Sequence, residues 1–256
     1  NKDHSVGATL NMIYQKFKAE GLEGFGLSSD IGEDTSTGFS VGLGWTGKLS
    51  PTMTVGATYT TQAQMSEFDK YDGLFAEQGS FDIPATAGVG VAFEATPTTT
   101  VALDVTKIYY SSVDSIANPI ANILNCPGFG GADASQCMGG DNGPGFGWED
   151  MTVFKLGVSW QQSKDLVLRA GYNHGKNPIP DSETLFNILA PGVVEDHVTF
   201  GATKTLANGG ELTFMYMHAF ENTVKGSGSI PAAFGGGEVD IKMQQNAVGI
   251  AYGWDM

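Results

Sequence analysis

The amino-acid sequence predicts an all-β protein whose antiparallel strands form a transmembrane β-barrel. Three observations support this prediction. Apolar residues alternate with small or polar residues at a period of two in about ten segments. Aromatic residues recur toward the ends of these segments, as in the interfacial girdles of membrane barrels. The connections alternate between tight turns and long loops, which is the pattern of bacterial outer-membrane barrels.

The alternating segments indicate about ten strands. One face of each segment is apolar, and the other is rich in Gly, Ser and Thr, with few of the Lys and Glu residues that a solvated sheet of a soluble sandwich carries. In one segment, Phe39, Val41, Leu43 and Trp45 alternate with Ser40, Gly42, Gly44 and Thr46. The predicted strands are 4–18, 37–49, 52–66, 81–95, 99–114, 151–162, 165–177, 194–206, 210–225 and 239–254.

Aromatic side chains near the strand ends predict the two membrane interfaces, because amphipathic rings favour the headgroup level of a bilayer. These residues are Trp45, Tyr59, Phe93, Tyr109, Trp160, Tyr172, Tyr252 and Trp254.

The connections predict how the strands are oriented. Tight turns follow every second strand, at 50–51, 95–97, 163–164 and 207–209. Long loops follow the others, at 19–36, 67–80, 115–150, 178–193 and 226–238. Since outer-membrane barrels have short periplasmic turns and long exterior loops, the C-terminus is expected in the periplasm.

Composition narrows the class of protein further. The chain has 256 residues, 13 Lys plus Arg and a formal net charge of −15, which argues against nucleic acid as a partner because phosphates would be repelled. An apolar run of 18 residues, as a transmembrane helix requires, does not occur. The chain is read as one barrel domain, 1–256. It opens without a signal peptide, so a mature chain or an internal fragment is expected.

Cysteine and histidine usage gives no sign of catalysis. Cys126 and Cys137 lie in a Gly-rich loop, where a disulfide is expected if the compartment is oxidising and free thiols are the alternative. No neighbouring His suggests a metal site there. No nucleophile and base can be assembled around the scattered histidines, so neither an enzyme nor a cofactor is predicted. The histidines are His4, His174, His197 and His218.

Several stretches, in order along the chain, resemble the FadL/TodX family of outer-membrane transport proteins. They are 5–14 (SVGATLNMIY), 81–90 (FDIPATAGVG), 101–105 (VALDV), 154–157 (FKLG), 168–172 (LRAGY), 177–180 (NPIP), 194–197 (VEDH), 200–201 (FG) and 215–218 (MYMH).

The resemblance implies a 14-stranded barrel with an N-terminal hatch inside it. It also implies facilitated diffusion of hydrophobic compounds, such as long-chain fatty acids or hydrocarbons, across the bacterial outer membrane. The chain is then expected to be the C-terminal portion, without the hatch and about four strands. A complete, narrower ten-stranded barrel is the alternative for the fold. A general porin or a structural, adhesive surface barrel is the alternative for function.

Strand parity predicts which residues line the lumen. Lys155 and Arg169 fall on the face opposite the lipid-facing residues and are expected to face the lumen. A carrier of fatty acids needs a cationic group there to bind the carboxylate. The alternative role of the two residues is to pair with the lumen carboxylates Asp104 or Glu94. Apolar residues also fall on the inward face, where they contact either a hydrophobic ligand or the hatch; Met in particular suits varied ligands. They are Ile13, Ile108, Met215 and Met217.

The resemblance also implies an exterior groove between two loops that captures the ligand. The corresponding loops here are 19–36 and 67–80, whose apolar residues are expected to be exposed. They are Leu22, Phe25, Leu27, Tyr71, Leu74 and Phe75. A further apolar stretch, 185–189 (LFNIL), is read either as a lid or as an anchor for its own loop.

Three further partners are expected besides the ligand: outer-membrane lipid, lipopolysaccharide and the outer-membrane assembly machinery. The last strand, with Tyr252, Trp254 and a final Met256, is similar to the C-terminal signal that this machinery reads. The acidic loop residues either form a solvated rim or bind divalent cations that bridge to lipopolysaccharide phosphates. They are Asp30, Glu33, Asp34, Asp133, Asp141, Glu149 and Asp150.

Overall fold

The computed structural model of the chain describes residues 3–25 and 29–254. Of the residues singled out in the sequence, Leu27 and Met256 lie outside this part, as does the side chain of Phe25. The described residues form eleven strands: β1 His4–Phe17, β2 Asp34–Ser50, β3 Met53–Thr60, β4 Gln64–Met65, β5 Thr86–Thr96, β6 Thr99–Ile108, β7 Met151–Ser163, β8 Leu166–Gly175, β9 Asp196–Thr205, β10 Glu211–Val224 and β11 Ile241–Gly253.

All of these strands belong to one antiparallel sheet. Its order follows the chain from β1 to β11, except that the two-residue β4 lies off this path and pairs with β2. In the described part of the chain β1 and β11 do not pair with each other, so the sheet is open. The closed ten-stranded barrel considered as an alternative is therefore not what this structure contains.

Each of the ten predicted segments contains one long strand, but three segments were predicted too long. Segment 52–66 is split, because the chain leaves β3 after Thr60 and rejoins β2 only at Gln64. Strand β5 begins only at Thr86, after Pro84, which has no amide hydrogen and interrupts the ladder; before it, Ile83 forms an isolated bridge with Ala63. Residues 109–114 turn into short helical segments, where Ser112 Oγ donates to the carbonyl of Tyr109 at 2.8 Å.

The strand register divides the sheet into two chemically different faces. The face that we call the apolar face presents large uncovered side chains, and Val6, Met12 and Ile250 are 84%, 87% and 75% exposed. One row across it is Val6, Trp45, Ala57, Val89, Val105 and Phe154. The opposite face, the polar face, carries small and polar residues. One of its rows is Ser5, Thr46, Gly56, Gly90, Asp104, Lys155, Asn173, His197, Ala219 and Gln245.

The connections segregate to opposite ends of the sheet, as predicted. At the turn end, residues 51–52, 97–98, 164–165 and 206–210 join consecutive strands. At the loop end, the connections are 18–33, 61–85, 109–150, 176–195 and 225–240. The loops contain short helical segments: Leu22–Phe25, Asp69–Tyr71, Ala76–Gly79, Tyr110–Ser112, Asp114–Ala117, Ile120–Asn125, Pro127–Phe129, Ala134–Gln136, Asp181–Glu183, Phe186–Ile188 and Ala232–Phe234. None of the helices formed by the described residues is long and apolar enough to span a membrane.

The main apolar core lies among the loops. This loop core comprises Leu22, Phe68, Tyr71, Leu74, Phe75, Ile120, Phe146 and Phe186. A smaller cluster, near the loop ends of β10 and β11, comprises Ile179, Val193, Val224 and Ile241. Most large apolar side chains of the strands point to the apolar face, whereas most residues of the polar face are small or polar. The polar face therefore carries few apolar side chains that could form a core.

Candidate functional site

The strand register places all the predicted lumen residues on the polar face. Lys155 on β7 lies opposite Asp104 on β6, and Arg169 on β8 lies opposite Gly201 on β9. The four apolar candidates have the same parity. Ile13 is the register partner of Gly38, Ile108 of Met151, Met215 of Gly201 and Met217 of Thr199. The structure thus agrees with the parity prediction for every one of these side chains.

The two cations line different cavities along the polar face. One, of about 760 Å³, is lined by Asp104 and Lys155 among Gly, Ala and Thr residues of β1 to β6. The other, of about 470 Å³, is lined by Arg169 and Met215 among small and apolar residues of β6 to β10. Arg169 and Met215 are therefore brought together, whereas Lys155 stands apart. Ile13, Ile108 and Met217 line neither cavity.

The two cations do not form the ion pairs considered as their alternative role. Arg169 donates from Nη1 to Thr203 Oγ1 at 2.7 Å, and Thr203 in turn lies 3.0 Å from Thr213 Oγ1. Within residues 3–25 and 29–254, neither Lys155 nor Arg169 has a carboxylate oxygen within 4.0 Å. Both cationic groups therefore remain available to an anion in the cavities.

The four predicted capture residues whose side chains the structure describes are buried, so the exposure expected for them was wrong. Tyr71 and Leu74 are 0% exposed, Leu22 is 1% exposed and Phe75 is 2% exposed. The reason is that the loops fold onto one another. The hydroxyl of Tyr71 donates to the carbonyl of Gly32 at 2.8 Å and accepts from the amide of Ala19 at 3.0 Å. These contacts draw loops 18–33 and 61–85 together and remove their apolar side chains from water.

Aromatic rings continue the loop core across the loop end of the sheet. Phe17 contacts Phe75 (5.0 Å between ring centroids), Phe75 contacts Phe81 (4.9 Å), Phe81 contacts Phe146 (6.1 Å) and Phe146 stacks on Phe186 (5.1 Å). The row joins the end of β1 to three loops. The sequence did not single out Phe17, Phe81 and Phe146 for this row. For Phe81 and Phe146, the occurrence of Phe in segments that otherwise carry turn residues could have indicated it.

The stretch 185–189 is anchored at Phe186, which agrees with the second of its two predicted roles. Phe186 is 1% exposed and anchors loop 176–195 in the loop core, whereas Ile188 is 56% exposed. Next to Phe186, the buried amide of Asn187 donates to the carbonyls of Phe146 (2.7 Å) and Glu183 (2.8 Å) and accepts from the indole of Trp148. These bonds fasten loop 176–195 to loop 109–150.

Glu183 is a second buried link between the same two loops. Its Oε2 accepts from the amide of Ile120 at 2.9 Å, and its Oε1 accepts from Ser182 at 3.1 Å. The residue is 5% exposed, and burial raises the pKa of its carboxyl despite these hydrogen bonds.

The predicted disulfide between Cys126 and Cys137 is present. Just beyond Cys137, the carbonyls of Gly139 and Gly140 accept the amides of Gln78 (2.9 Å) and Glu77 (3.0 Å). Gln78 and Glu77 have φ angles of 56° and 53°, in the left-handed region that non-glycine residues rarely occupy. Docking on the disulfide-closed loop holds this turn, which lies next to Phe75 of the loop core.

The whole chain matches one protein family. The family model described as "Outer membrane protein transport protein (OMPP1/FadL/TodX)" covers residues 1–255. The chain belongs to this family.

Solved structures share the fold of this FadL/TodX protein at low sequence identity. The Pseudomonas putida toluene transporter TodX is 16% identical, with a TM-score of 0.60, over 98% of this chain and 66% of TodX. A Pseudomonas aeruginosa FadL homologue is 14% identical (TM-score 0.62), over 98% of this chain and 64% of the homologue. The CymD monoaromatic hydrocarbon channel is 17% identical (TM-score 0.57), over 98% and 69%. No curated protein matches the sequence significantly.

Family membership assigns the two faces of the sheet. The FadL/TodX protein is an outer-membrane β-barrel protein, so its apolar face contacts lipid and its polar face borders the lumen. The chain spans just under two thirds of the length of TodX.

The acidic loop residues of this family member are partly engaged within the protein. Burial acts to raise the pKa of Asp150, but hydrogen bonds from Ser111 and Lys107 outweigh it and lower the pKa. Hydrogen bonds from Ser135 lower the pKa of Asp133. Glu33 pairs with Lys16 at 2.6 Å. Among the described residues, no group of three or more His, Cys, Asp or Glu is arranged to hold a metal ion.

Proposed function

We propose that this chain forms part of a channel for facilitated diffusion of hydrophobic compounds, such as long-chain fatty acids or hydrocarbons, across the outer membrane. The observation that carries the proposal is the cavity of about 470 Å³ on the polar face, where Arg169 and Met215 line the same space. An adaptable apolar side chain beside an unpaired cation suits an amphipathic ligand. Related proteins described as a toluene transporter and a monoaromatic hydrocarbon channel support the hydrophobic class.

In this proposal the loop core acts first. Leu22, Tyr71, Leu74 and Phe75, together with Phe25 and Leu27, form the capture surface once the loops separate. Because Leu22, Tyr71, Leu74 and Phe75 belong to one packed cluster in the closed arrangement, a hydrophobic ligand binds by replacing their mutual contacts. Capture is then coupled to loop opening.

The ligand next enters the lumen. The carboxylate of a fatty acid meets Lys155 and then Arg169, which lies level with Ser159 and therefore farther from the loop end. The chain of the fatty acid contacts Met215 and Met217. Ile13 and Ile108, nearer the loop end of the polar face, extend the apolar path toward the loops. A neutral hydrocarbon uses the apolar contacts alone.

We propose that additional strands close the lumen, within a larger family barrel that also contains a hatch. The open edges of β1 and β11, and the coverage of 66% of TodX, support the additional strands. Lipopolysaccharide and the assembly machinery are proposed partners of this barrel on general physical grounds: the acidic loops suit divalent-cation bridges, and the terminal aromatic residues suit an assembly signal.

Uptake measurements test the function. The protein is expressed in a strain that lacks uptake of hydrophobic compounds, and entry of labelled oleate, hexadecane and toluene is measured. Restored uptake of at least one of them supports the proposal. No restored uptake, combined with steady ion conductance in planar bilayers, would indicate a general porin. Loss of surface binding after deletion of 115–150, without any uptake, would indicate an adhesive barrel.

A further inference from the structure

Ion pairs mark one level of the apolar face, close to the loop end. Lys107 pairs with Asp150 at 3.3 Å, and His174 lies 2.8 Å from Asp196. Lys16 pairs with Glu33, and Lys242 pairs with Glu221. At the turn end of the apolar face, Trp160 of β7 marks the other membrane interface. It is ten residues from Asp150, which in a tilted strand is roughly 25 Å across the membrane. This spacing matches the apolar band of a bilayer, so the ion pairs lie at the level of the outer-leaflet headgroups.

A polar cleft of about 500 Å³ lies at the same level, above the start of β9. We call it the rim cleft. Lys176, after β8, and Lys225, after β10, line it together with Glu149, Asp181 and Glu195. Lys176 is two residues after His174 and therefore lies on the same side of the sheet, that of the apolar face. The cleft residue Thr223 is the register partner of Lys242, which also lies on that face. The cleft therefore borders the lipid-facing surface.

The two lysines of the rim cleft differ from the other cations at this level. Lys16, Lys107 and Lys242 each have a carboxylate partner, but in the described part of the chain Lys176 and Lys225 have none within 4.0 Å. Of the acidic groups in the cleft, Glu195 accepts from the amide and side chain of Asn177, at 2.9 and 2.7 Å. Glu149 and Asp181 face the same space.

We propose that the rim cleft binds the phosphorylated sugar headgroup of an outer-leaflet glycolipid. Lys176 and Lys225 hold the phosphate by charge-assisted hydrogen bonds. Glu149 and Asp181 would repel a bare phosphate, so a divalent cation bridges their oxygen atoms to it. The acyl chains of the same lipid lie along the apolar face below the cleft. The proposal rests on the lipopolysaccharide contact proposed above and gives it a location, which is separate from the transport path on the polar face.

Lipid binding to the purified protein tests the proposal. The whole chain, in detergent, is mixed with lipopolysaccharide, with its dephosphorylated form or with phosphatidylglycerol, with Mg²⁺ or EDTA, and bound lipid is counted by native mass spectrometry. The variant Lys176→Gln/Lys225→Gln is compared with Lys48→Gln/Lys164→Gln, which removes two exposed lysines from the turn end. We expect about a tenfold loss of lipopolysaccharide binding in the first variant, none in the second and a loss for the parent protein in EDTA.

Equal losses in both variants would overturn the proposal. So would equal binding of the dephosphorylated form or of phosphatidylglycerol, since either result would mean that the cleft does not recognise a phosphorylated sugar. Heat-modified electrophoretic mobility confirms that both variants are folded. Uptake of hydrophobic compounds, measured separately, reports on the transport proposal alone.

Discussion

Arg169 on β8 donates a hydrogen bond to Thr203 on β9 across 2.7 Å, and no carboxylate in the described residues neutralises its charge. A hydroxyl orients the guanidinium but leaves its other donors free. The side chain is exposed on the polar face, so an anionic ligand can reach these donors. This accessible charge supports the proposal that Arg169 binds the carboxylate of a ligand.

Replacement of Arg169 should separate anionic from neutral ligands. Arg169→Gln keeps a donor for Thr203 but removes the charge, so fatty-acid binding should weaken by about 1.5–3 kcal/mol, the contribution of a hydrogen bond to a charged group. Toluene binding should change little. Titration of the purified protein with each ligand measures both affinities. Lys164→Gln, a charge change in the turn between β7 and β8, is the control. Equal weakening for both ligands would exclude a carboxylate role.

Phe186 should stabilise the closed loops. Phe186→Ala removes a ring that is 1% exposed and stacks on Phe146, so the loop core should lose about 3 kcal/mol. Limited proteolysis of loops 109–150 and 176–195 should become faster. Ile188→Ala, two residues away at a side chain that is 56% exposed, should leave the cleavage rate nearly unchanged. Similar rates for both variants would show that the loop core does not hold the loops closed.

The disulfide should stabilise the strained turn as well as its own loop. Replacing both Cys126 and Cys137 with Ser should destabilise the loop by about 3 kcal/mol, through the greater freedom of the unfolded loop. Because Glu77 and Gln78 dock just beyond Cys137, hydrogen exchange should accelerate at their amides too. Amides of β7 and β8 serve as the internal control. Exchange that accelerates only within 126–137 would show that the turn holds its conformation without the disulfide.

Glu183 should make loop stability depend on pH. Burial raises its folded pKa above the unfolded value, so its stabilising effect is complete below the unfolded pKa and is lost as pH rises through the folded pKa. Glu183→Gln retains an acceptor for Ile120 and cannot ionise. The variant should therefore gain stability relative to the parent protein as pH rises from about 4, just below the ordinary pKa of a glutamate, to about 8.

Urea unfolding of the loops is monitored by the fluorescence of Trp148. The parent protein and the variants all carry Phe in place of Trp45, Trp160 and Trp254, so that Trp148 is the remaining fluorophore of this type. Glu238→Gln, at an exposed loop position, controls for the loss of one carboxylate. A difference between Glu183→Gln and the parent protein that is constant with pH would mean that Glu183 does not titrate in this range.

Much of the sheet could be predicted from the sequence, because its determinants are local. Side chains two residues apart in a strand share a face, so Lys155 and Arg169 could be assigned to the polar face without any knowledge of their neighbours. Short turns such as 164–165 likewise follow from residues adjacent in the chain. The strand ends were less predictable. Residues 81–85 continue the alternating pattern, yet Pro84 removes a ladder hydrogen bond there.

The loops were decided by the tertiary structure. Tyr71 is buried because Gly32 and Ala19, far away in the sequence, contact its hydroxyl, and Phe186 is buried because Phe146 from another loop stacks on it. No alternation or spacing encodes such contacts. The sequence alone therefore determined the faces and turns of the sheet, which depend on backbone periodicity. The folded chain determined which loop residues are buried and which charges lack partners, since both depend on groups that only tertiary packing brings together.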